Sequence, residues 1–195
     1  MRLFIGLDIE EAIRERIQRF IEGVQEFAPN ARWLRPESLH VTLKFIGEKP
    51  SPLLEGIKQA LFQVHTDLLD VAFRGHGFFP SPKAARVFWI GIESGPQLAS
   101  LAEAVDQAMF ALGIEKENHP FSPHLTLARA AGASGAPHKQ AADRHNRGFE
   151  KLQEKLARVP SPEFGTMTVR EFFLYQSQLS PDGSKYTKLE RFALG

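Results

Sequence analysis

One tetrad of residues occurs twice in this chain, and it restricts the fold more than any other feature of the sequence. His40-Val41-Thr42-Leu43 and His124-Leu125-Thr126-Leu127 share the pattern His-x-Thr-Leu and lie 84 residues apart. Because side chains alternate between the two faces of a strand, each tetrad places its histidine and threonine on one face and its apolar residues on the other. Random order of this composition gives roughly 0.2 His-x-Thr matches by template counting. The chain is therefore predicted to contain two similar strands, each with a His/Thr face.

The remaining periodicity predicts strands and helices that alternate along the chain. Strands are predicted near 2–7, 31–35, 39–46, 69–79, 85–93, 121–129, 164–176 and 185–193, and helices near 9–27, 52–64, 96–112 and 149–158. This mixture favours an α+β fold with antiparallel sheets. The order strand, helix, motif strand appears twice, which predicts one pseudo-symmetric, two-lobed domain spanning residues 1–195. Residues 130–148 are rich in alanine, glycine, serine and basic side chains, and we expect a basic loop there.

Composition excludes several kinds of chemistry. The chain has no cysteine, which excludes disulfides, zinc–thiolate sites and thiol catalysis. Its net charge is only +1, so any contact with a polyanion must come from local patches rather than from a global field. No run approaches the roughly 20 apolar residues of a membrane span, and the apolar run 3–7 is too short for a secretion signal. We therefore expect a cytoplasmic protein without membrane contact.

Two His-x-Thr pairs meeting in one pocket would suit phosphodiester chemistry without a metal. Histidine titrates near neutral pH, so one imidazole can take a proton from the nucleophile while the other gives one to the leaving group. The hydroxyls of Thr42 and Thr126 can donate to phosphate oxygens. Lys44 and Arg129 are candidates for the positive charge that stabilises the transition state. Strict alternation places Arg129 with Leu125 and Leu127, so either the strand twists or ends there or the arginine is only a boundary charge.

Two other interpretations of the histidines need comparison. A metal site is one, since histidine is the commonest metal ligand, but neither motif supplies a third ligand at a usual spacing. No metal and no cofactor are therefore expected. A purely structural role for both histidines is the other, and the repetition of the whole tetrad argues against it. The histidines outside the tetrads are assigned structural or surface roles: His65, His76, His119, His138 and His145.

Residues along most of the chain resemble the two-histidine phosphoesterase superfamily, and most closely its RNA 2′,3′-cyclic phosphodiesterases, historically called 2′-5′ RNA ligases. The paired His-x-Thr motifs are the superfamily's mark. The similarity extends to these segments: Arg2-Leu3-Phe4-Ile5, Arg32-Trp33, Lys44-Phe45-Ile46-Gly47, Arg86-Val87-Phe88-Trp89, Pro123 to Arg129, and the spaced Ser177, Gly183 and Tyr186.

The resemblance implies a bilobal fold in which each lobe gives one motif strand to a central cleft, with the helices outside. It implies metal-independent hydrolysis of an RNA 2′,3′-cyclic phosphate to a 2′-phosphomonoester. His40 would be the proton donor to the departing 3′ oxygen, and His124 the base that activates water. Thr42, Thr126 and Arg129 would hold the phosphate. Some relatives also join RNA ends reversibly through a 2′-5′ bond, with the same groups at the same site.

The expected partner is RNA with 2′,3′-cyclic phosphate ends, tRNA fragments among them, bound by a monomer. Two alternatives stay open: a two-histidine enzyme for another small cyclic phosphate, such as ADP-ribose 1″,2″-cyclic phosphate or a nucleoside 2′,3′-cyclic phosphate, and a non-catalytic module that binds RNA or nucleotides. Phe4, Phe78 and Phe79 are candidates for stacking on a base.

Overall fold

The computed structural model describes residues 1–132, 147–181 and 183–195. Within these residues it contains nine strands and four α-helices. The strands are β1 (Arg2–Leu7), β2 (Arg32–Trp33), β3 (Val41–Glu48), β4 (Leu69–Phe79), β5 (Val87–Ser94), β6 (His124–Arg129), β7 (Glu163–Val169), β8 (Glu171–Ser180) and β9 (Gly183–Ala193). The helices are α1 (Glu11–Val24), α2 (Leu54–Phe62), α3 (Pro96–Phe110) and α4 (Glu150–Leu156). Most of the predicted basic loop, residues 133–146, lies outside the described residues.

Two antiparallel sheets carry the two motif strands. Sheet A has the strand order β3-β1-β8-β9, and sheet B has the order β2-β6-β5-β4-β7. All pairings within both sheets are antiparallel. The first tetrad runs into β3 at the edge of sheet A, and the second forms the start of β6 in sheet B. The predicted α+β fold with antiparallel sheets is confirmed.

The sheets are duplicates of each other apart from the short strand β2. In each, a strand is followed by a helix and then by the motif strand, which pairs antiparallel with the first strand: β1-α1-β3 in one and β5-α3-β6 in the other. The next strand out, β8 or β4, covers the other edge of that first strand. Gly6 pairs with Thr42 and Trp89 pairs with Thr126, so the registers correspond.

Amphipathic helices cover the strands on the side away from the motif histidines. Helix α1 buries Ile13, Ile17, Ile21 and Val24 at helical spacing, as the sequence predicts. Helix α3 buries its apolar stripe in the same continuous core. None of the helix residues lines the cleft formed by the described part of the chain. None of the described helices combines the length and hydropathy that a membrane crossing needs.

Candidate active site

A cleft of about 450 Å³ contains both tetrads. Its walls come from sheet A, from strands β2 and β6 at one edge of sheet B, and from the segment that precedes β3. The cleft is lined by Arg2, Leu3, Phe4, Arg32, Trp33, Leu34, Arg35, Ser38, His40, Thr42, Phe45, Gly47, His124, Thr126, Arg129, Ser177, Leu179, Gly183, Ser184 and Tyr186. Five of the six predicted site residues are therefore brought together, and Lys44 is not.

His40 is held by a hydrogen bond at each ring nitrogen. Nδ1 lies 2.8 Å from the carbonyl oxygen of Ser38, and Nε2 lies 3.0 Å from Oγ1 of Thr42. A carbonyl oxygen can only accept, so Nδ1 carries a proton and donates it. In the neutral ring Nε2 then accepts from the Thr42 hydroxyl. The contact with Ser38 thereby fixes the tautomer and directs Nε2 toward the cleft.

His124 is held in the same way in the other lobe. Its Nδ1 lies 2.9 Å from the carbonyl oxygen of Ser122, so this ring also directs Nε2 away from the backbone. In both motifs the accepting residue is a serine two positions before the histidine. The repeated unit is thus Ser-x-His-x-Thr-Leu. The paired serines are a sequence signal that our sequence analysis missed.

A β-bulge follows the threonine in each motif strand and reverses the alternation of side chains. In β3, Thr42 pairs with Gly6 and Lys44 with Ile5, which leaves Leu43 without a partner position. In β6, Thr126 pairs with Trp89 and Ala128 with Phe88, so Leu127 likewise has no partner position on the neighbouring strand. An extra residue at this point shifts the strand by one position. The leucine of each tetrad is therefore the bulged residue.

The bulges determine where the predicted cations lie. Arg129 enters the cleft because the Leu127 bulge moves it onto the His124 face, and the open question about this residue is resolved in favour of a strand irregularity. By the same shift Lys44 leaves the His40 face. The assignment of Lys44 to phosphate binding is wrong. Simple alternation along β3 would also place Phe45 on the core face with Val41 and Leu43, and it fails at the same bulge. Phe45 lines the cleft instead.

Lys44 is a buried structural cation. Its side chain is 1% exposed, and Nζ lies 2.5 Å from Oδ1 of Asp106 on α3. A second acceptor, the carbonyl oxygen of Glu115, lies 2.9 Å away. Lys44 therefore joins the edge strand of sheet A to α3 and the segment that follows it.

Burial lowers the pKa of His40 to about 4. The hydrogen bond to Ser38 opposes this shift, and the positive charge of Arg129 adds to it. The imidazole is consequently neutral at pH 7 in the free protein, with Nε2 available to accept a proton.

Several arginines line the cleft, and only Arg129 was predicted. Arg2, Arg32 and Arg35 line the same cleft. Burial lowers the pKa of Arg129, and the charges of Arg32 and Arg2 contribute to this. Among the lining residues that the structure describes, none is an aspartate or a glutamate. The cleft thus concentrates positive charge in a chain whose net charge is close to zero.

Of the three phenylalanines proposed for base stacking, two are buried and the third packs against a motif histidine. Phe4 is buried beneath His40, with ring centroids 4.6 Å apart, and Phe78 is buried against Phe88. Phe79 packs edge-on against His124 at 4.9 Å. Of the other aromatic side chains that line the cleft, Phe45 is exposed, and Trp33 and Tyr186 are half-buried. Simple alternation could not identify Phe45, because it ignores the bulge.

The histidines outside the tetrads do not line the cleft in the described part of the chain. His76 packs against Phe78 and Phe88 in sheet B, and burial lowers its pKa. Within residues 1–132, 147–181 and 183–195, no group of three or more histidine, aspartate or glutamate side chains is arranged to hold a metal ion. His138 and His145 lie outside the described residues.

Comparison with known proteins identifies the family. The family described as LigT like Phosphoesterase matches this chain twice, over residues 7–89 and over residues 90–186. The chain belongs to this family. Each match contains one tetrad, and Leu7 and Ile90, where the matches begin, occupy equivalent positions opposite Val41 and Leu125. The two family matches therefore begin at equivalent positions of the two sheets.

Relatives of this LigT-like phosphoesterase extend over its whole length. An RNA 2′,3′-cyclic phosphodiesterase of Methanothermobacter thermautotrophicus is 30% identical, over 100% of this chain and 99% of the relative. The enzyme of the same name from Escherichia coli is 30% identical, over 99% and 96%. The crystal structure of E. coli LigT complexed with 3′-AMP matches with a TM-score of 0.77 and 26% identity, over 99% of this chain and 97% of that one. The predicted family is confirmed.

The lowered pKa of His40 makes the fold of this LigT-like phosphoesterase sensitive to acid. Its imidazole has a pKa of about 4 when folded and an ordinary value of 6.5. Between these values the unfolded chain binds a proton that the folded chain does not, so the free energy of unfolding falls as the pH falls. Above pH 6.5 this contribution is fully present. From pH 7 to pH 4.5 the expected loss is about 2 kcal/mol.

Urea unfolding of the wild type and of His40→Asn at both pH values measures this contribution. The wild type is expected to lose about 2 kcal/mol more than the variant on acidification. Equal losses in both proteins would show that His40 does not titrate abnormally.

Proposed function

We propose that this protein hydrolyses RNA 2′,3′-cyclic phosphate ends to 2′-phosphomonoesters without a metal ion. The observation that carries this proposal is the matched pair of histidines in one cleft. Each is fixed by a backbone carbonyl at Nδ1 and directs Nε2 inward beside a threonine of the same strand. Such a pair can provide a general base and a general acid for a single displacement at phosphorus.

The names of the relatives support the same reaction. Full-length relatives from archaea and bacteria are called RNA 2′,3′-cyclic phosphodiesterases. E. coli LigT has been crystallised with 3′-AMP, with ATP, with NADP+ and with phosphate. These ligands all contain phosphate, and three of them contain a nucleoside.

In the proposed step, water attacks phosphorus and the P–O3′ bond breaks. His124 takes the proton that the water loses, and His40 gives a proton to the departing O3′. The phosphate stays on O2′, so one water molecule is added and the terminal 3′ hydroxyl is restored. When the 5′ hydroxyl of another RNA takes the place of water in this step, the same two histidines transfer the protons, the P–O3′ bond breaks and a 2′-5′ bond forms; the same groups also serve the cleavage of that bond.

Thr42, Thr126 and Arg129 are proposed to hold the phosphate. Arg129 supplies a fixed positive charge and several donors for the non-bridging oxygens. The Thr42 hydroxyl donates to Nε2 of the neutral His40 in the free protein. Once Nε2 carries a proton this hydroxyl is released, and it can donate to the phosphate instead.

The donor role of His40 requires a proton that the free protein lacks at pH 7. The pKa of His40 is about 4 because of its burial and the neighbouring positive charge of Arg129. An anionic phosphate beside the imidazole and Arg129 offsets this charge and favours the protonated ring. Substrate binding is therefore proposed to bring one proton to His40, which prepares it to protonate O3′.

The arginines of the cleft favour RNA over a small cyclic phosphate. A cyclic phosphodiester carries one negative charge, which Arg129 alone can balance. Arg2, Arg32 and Arg35 add positive charge to the same cleft. Further phosphates of an RNA chain can bind these arginines, whereas a small cyclic phosphate has none to offer. We propose tRNA fragments among the substrates, a monomeric protein and a cytoplasmic location.

This proposal predicts a substrate preference that depends on salt. Hydrolysis of a short RNA with a 2′,3′-cyclic phosphate end is expected to have a higher kcat/KM than that of a nucleoside 2′,3′-cyclic phosphate, and to fall more steeply with salt. Replacing Arg32 by alanine is expected to reduce the slope of log(kcat/KM) against log[salt] by about 0.7 for RNA, with little effect on the nucleoside.

Arg19→Ala is the matched control, since Arg19 is an exposed arginine on α1 outside the cleft. Equal rates and equal salt slopes for both substrates would instead favour a small cyclic phosphate as the substrate. Binding of RNA without turnover, unaffected by loss of either histidine, would favour the binding module.

A further inference from the structure

The turn whose carbonyl fixes His40 is itself held from outside the cleft, by Arg14 of α1. Ser38 ends this short 3-10 turn, Pro36–Ser38, which lies between β2 and β3. Nη1 of Arg14 donates a hydrogen bond to the carbonyl oxygen of Pro36 at the start of the turn. The same oxygen accepts from the amide of Leu39, 3.2 Å away, which closes the turn. Arg14 therefore binds the turn at the carbonyl on which the turn's own hydrogen bond depends.

The guanidinium of Arg14 is fixed by three further acceptors. Nη2 lies 2.6 Å from Oδ1 of Asp8 and 3.2 Å from the carbonyl oxygen of Ile9, and Nε lies 3.3 Å from a carboxylate oxygen of Glu11. Burial alone would raise the pKa of the Asp8 carboxyl, but Lys188 and Arg14 lower it, so this carboxylate is charged at pH 7. The Arg14 side chain is only 11% exposed. A planar guanidinium with several donors is suited to holding such a set of acceptors at once.

The equivalent segment of the other lobe is constrained by proline instead. Ser122 is followed by Pro123, which directly precedes the second tetrad. Proline locks its own φ angle and restricts the residue before it. Before the first tetrad this position is Leu39, which has no such constraint. Helix α3, unlike α1, contains no arginine or lysine. Arg14 thus supplies from a helix the constraint that the second motif has in its own backbone.

We propose that Arg14 is a positioning residue for the hydrolysis of the cyclic phosphate. By holding the Pro36 carbonyl it fixes the turn, the turn places the Ser38 carbonyl, and this carbonyl keeps the proton of neutral His40 on Nδ1. Nε2 of His40, which receives and donates a proton in the proposed step, then stays directed toward the cleft. Neither Arg14 nor Asp8 is among the described residues that line the cleft, so Arg14 acts through His40 and not on the substrate. This inference rests on the proposed function and adds to it the residue that orients the general acid.

Removal of the guanidinium should lower kcat without weakening substrate binding. For Arg14→Gln, kcat on a short RNA with a 2′,3′-cyclic phosphate end is expected to fall about tenfold to hundredfold, because a misplaced catalytic group costs roughly this much. KM is expected to stay within about twofold of the wild type. Arg14→Lys keeps a charge beside Asp8 but has one nitrogen in place of the planar fork, so a smaller loss of kcat is expected.

Glu11→Gln is the matched control, because it removes another partner of Arg14 and leaves the contact with Pro36 in place. Its kcat should equal that of the wild type. Circular dichroism reports whether each variant is folded. Should Arg14→Gln not fold, Arg14→Lys is subject to the same test.

The tautomer of His40 distinguishes positioning from a general loss of stability. The ¹⁵N chemical shifts of the imidazole nitrogens at pH 7 show which nitrogen carries the proton. In the wild type we expect the proton of His40 on Nδ1, and in Arg14→Gln a share of the Nε2-protonated form, while the signals of His124 stay unchanged. A folded Arg14 variant with the kcat of the wild type, or one that loses kcat while the tautomer of His40 stays unchanged, would overturn the inference. This measurement needs no substrate, so it decides the role of Arg14 even if the wild type fails to hydrolyse the RNA, a result that would contradict the proposed function.

Discussion

Replacement of either His40 or His124 by alanine is expected to lower kcat for a cyclic phosphate end by about 10²- to 10⁴-fold. This is the usual contribution of a positioned general acid or base. Each imidazole is fixed through Nδ1 by a serine carbonyl, and both histidines line the cleft. The measurement is kcat under saturating substrate, with circular dichroism to confirm folding.

The double variant and a control sharpen this prediction. Because the two histidines act in one step, the variant that lacks both is expected to be little slower than either single variant. His65→Ala should be as active as the wild type, since His65 is exposed and lies outside the cleft. Activity that survives in both single variants would contradict the acid–base mechanism.

Replacement of Asp106, which forms an ion pair with Lys44, is expected to lower the free energy of unfolding rather than the catalytic rate. Asp106→Asn leaves the ammonium group of Lys44 buried, with a side chain only 1% exposed, and with only the more distant and exposed Glu117 carboxylate, 3.9 Å away, as an ion-pair partner. Breaking a buried pair in this way costs about 3–5 kcal/mol. Lys44→Met should cost less, about 3 kcal/mol or below, since the Asp106 carboxylate that it leaves is 18% exposed. Urea unfolding at pH 7 measures both effects.

Measurement of kcat/KM distinguishes this structural role of Lys44 from the phosphate-binding role that the sequence suggests. Below its unfolding transition, Lys44→Met is expected to keep kcat/KM within about twofold of the wild type, because Lys44 faces α3 rather than the cleft. The double variant Lys44→Met with Asp106→Leu should recover much of the lost stability, since an apolar pair can replace a buried ion pair. A stable Lys44→Met protein with a large loss of kcat/KM would restore Lys44 to the site.

The sequence was sufficient to predict most elements of the fold because their periodicity is regular. The single strand predicted over 164–176 was wrong, since β7 and β8 divide this segment and lie in different sheets. Helix α1 has its isoleucines at helical spacing, and the strands of both sheets are rich in strand-forming residues separated by turn signals. The repeated tetrad also predicted that His40 and His124 lie on similar strands. Local patterns of this kind report secondary structure directly.

The bulges were the part that the sequence did not reveal. Alternation predicts that Lys44 shares a face with His40, and that Arg129 does not share one with His124. A bulge at Leu43 and another at Leu127 reverse both predictions. A bulge depends on how two paired strands match in register, and a pattern read along one strand contains no information on that pairing. Comparing the two motifs position by position would have shown that Lys44 corresponds to Ala128 and not to Arg129.

The cleft's other cations were missed for a similar reason. Arg2, Arg32 and Arg35 come from segments far from the tetrads in sequence, and only the sheet pairing brings them to Arg129. The net charge of +1 conceals this concentration, because acidic residues elsewhere balance it. Local charge in a cleft is a property of tertiary structure.

The most direct test is hydrolysis of a short RNA with a 2′,3′-cyclic phosphate end, in excess EDTA, with the position of the product phosphate identified. The mechanism predicts turnover under these conditions and a product with a 2′-phosphate and a free 3′ hydroxyl. Activity only after a divalent ion is restored, or a 3′-phosphate product, would contradict it.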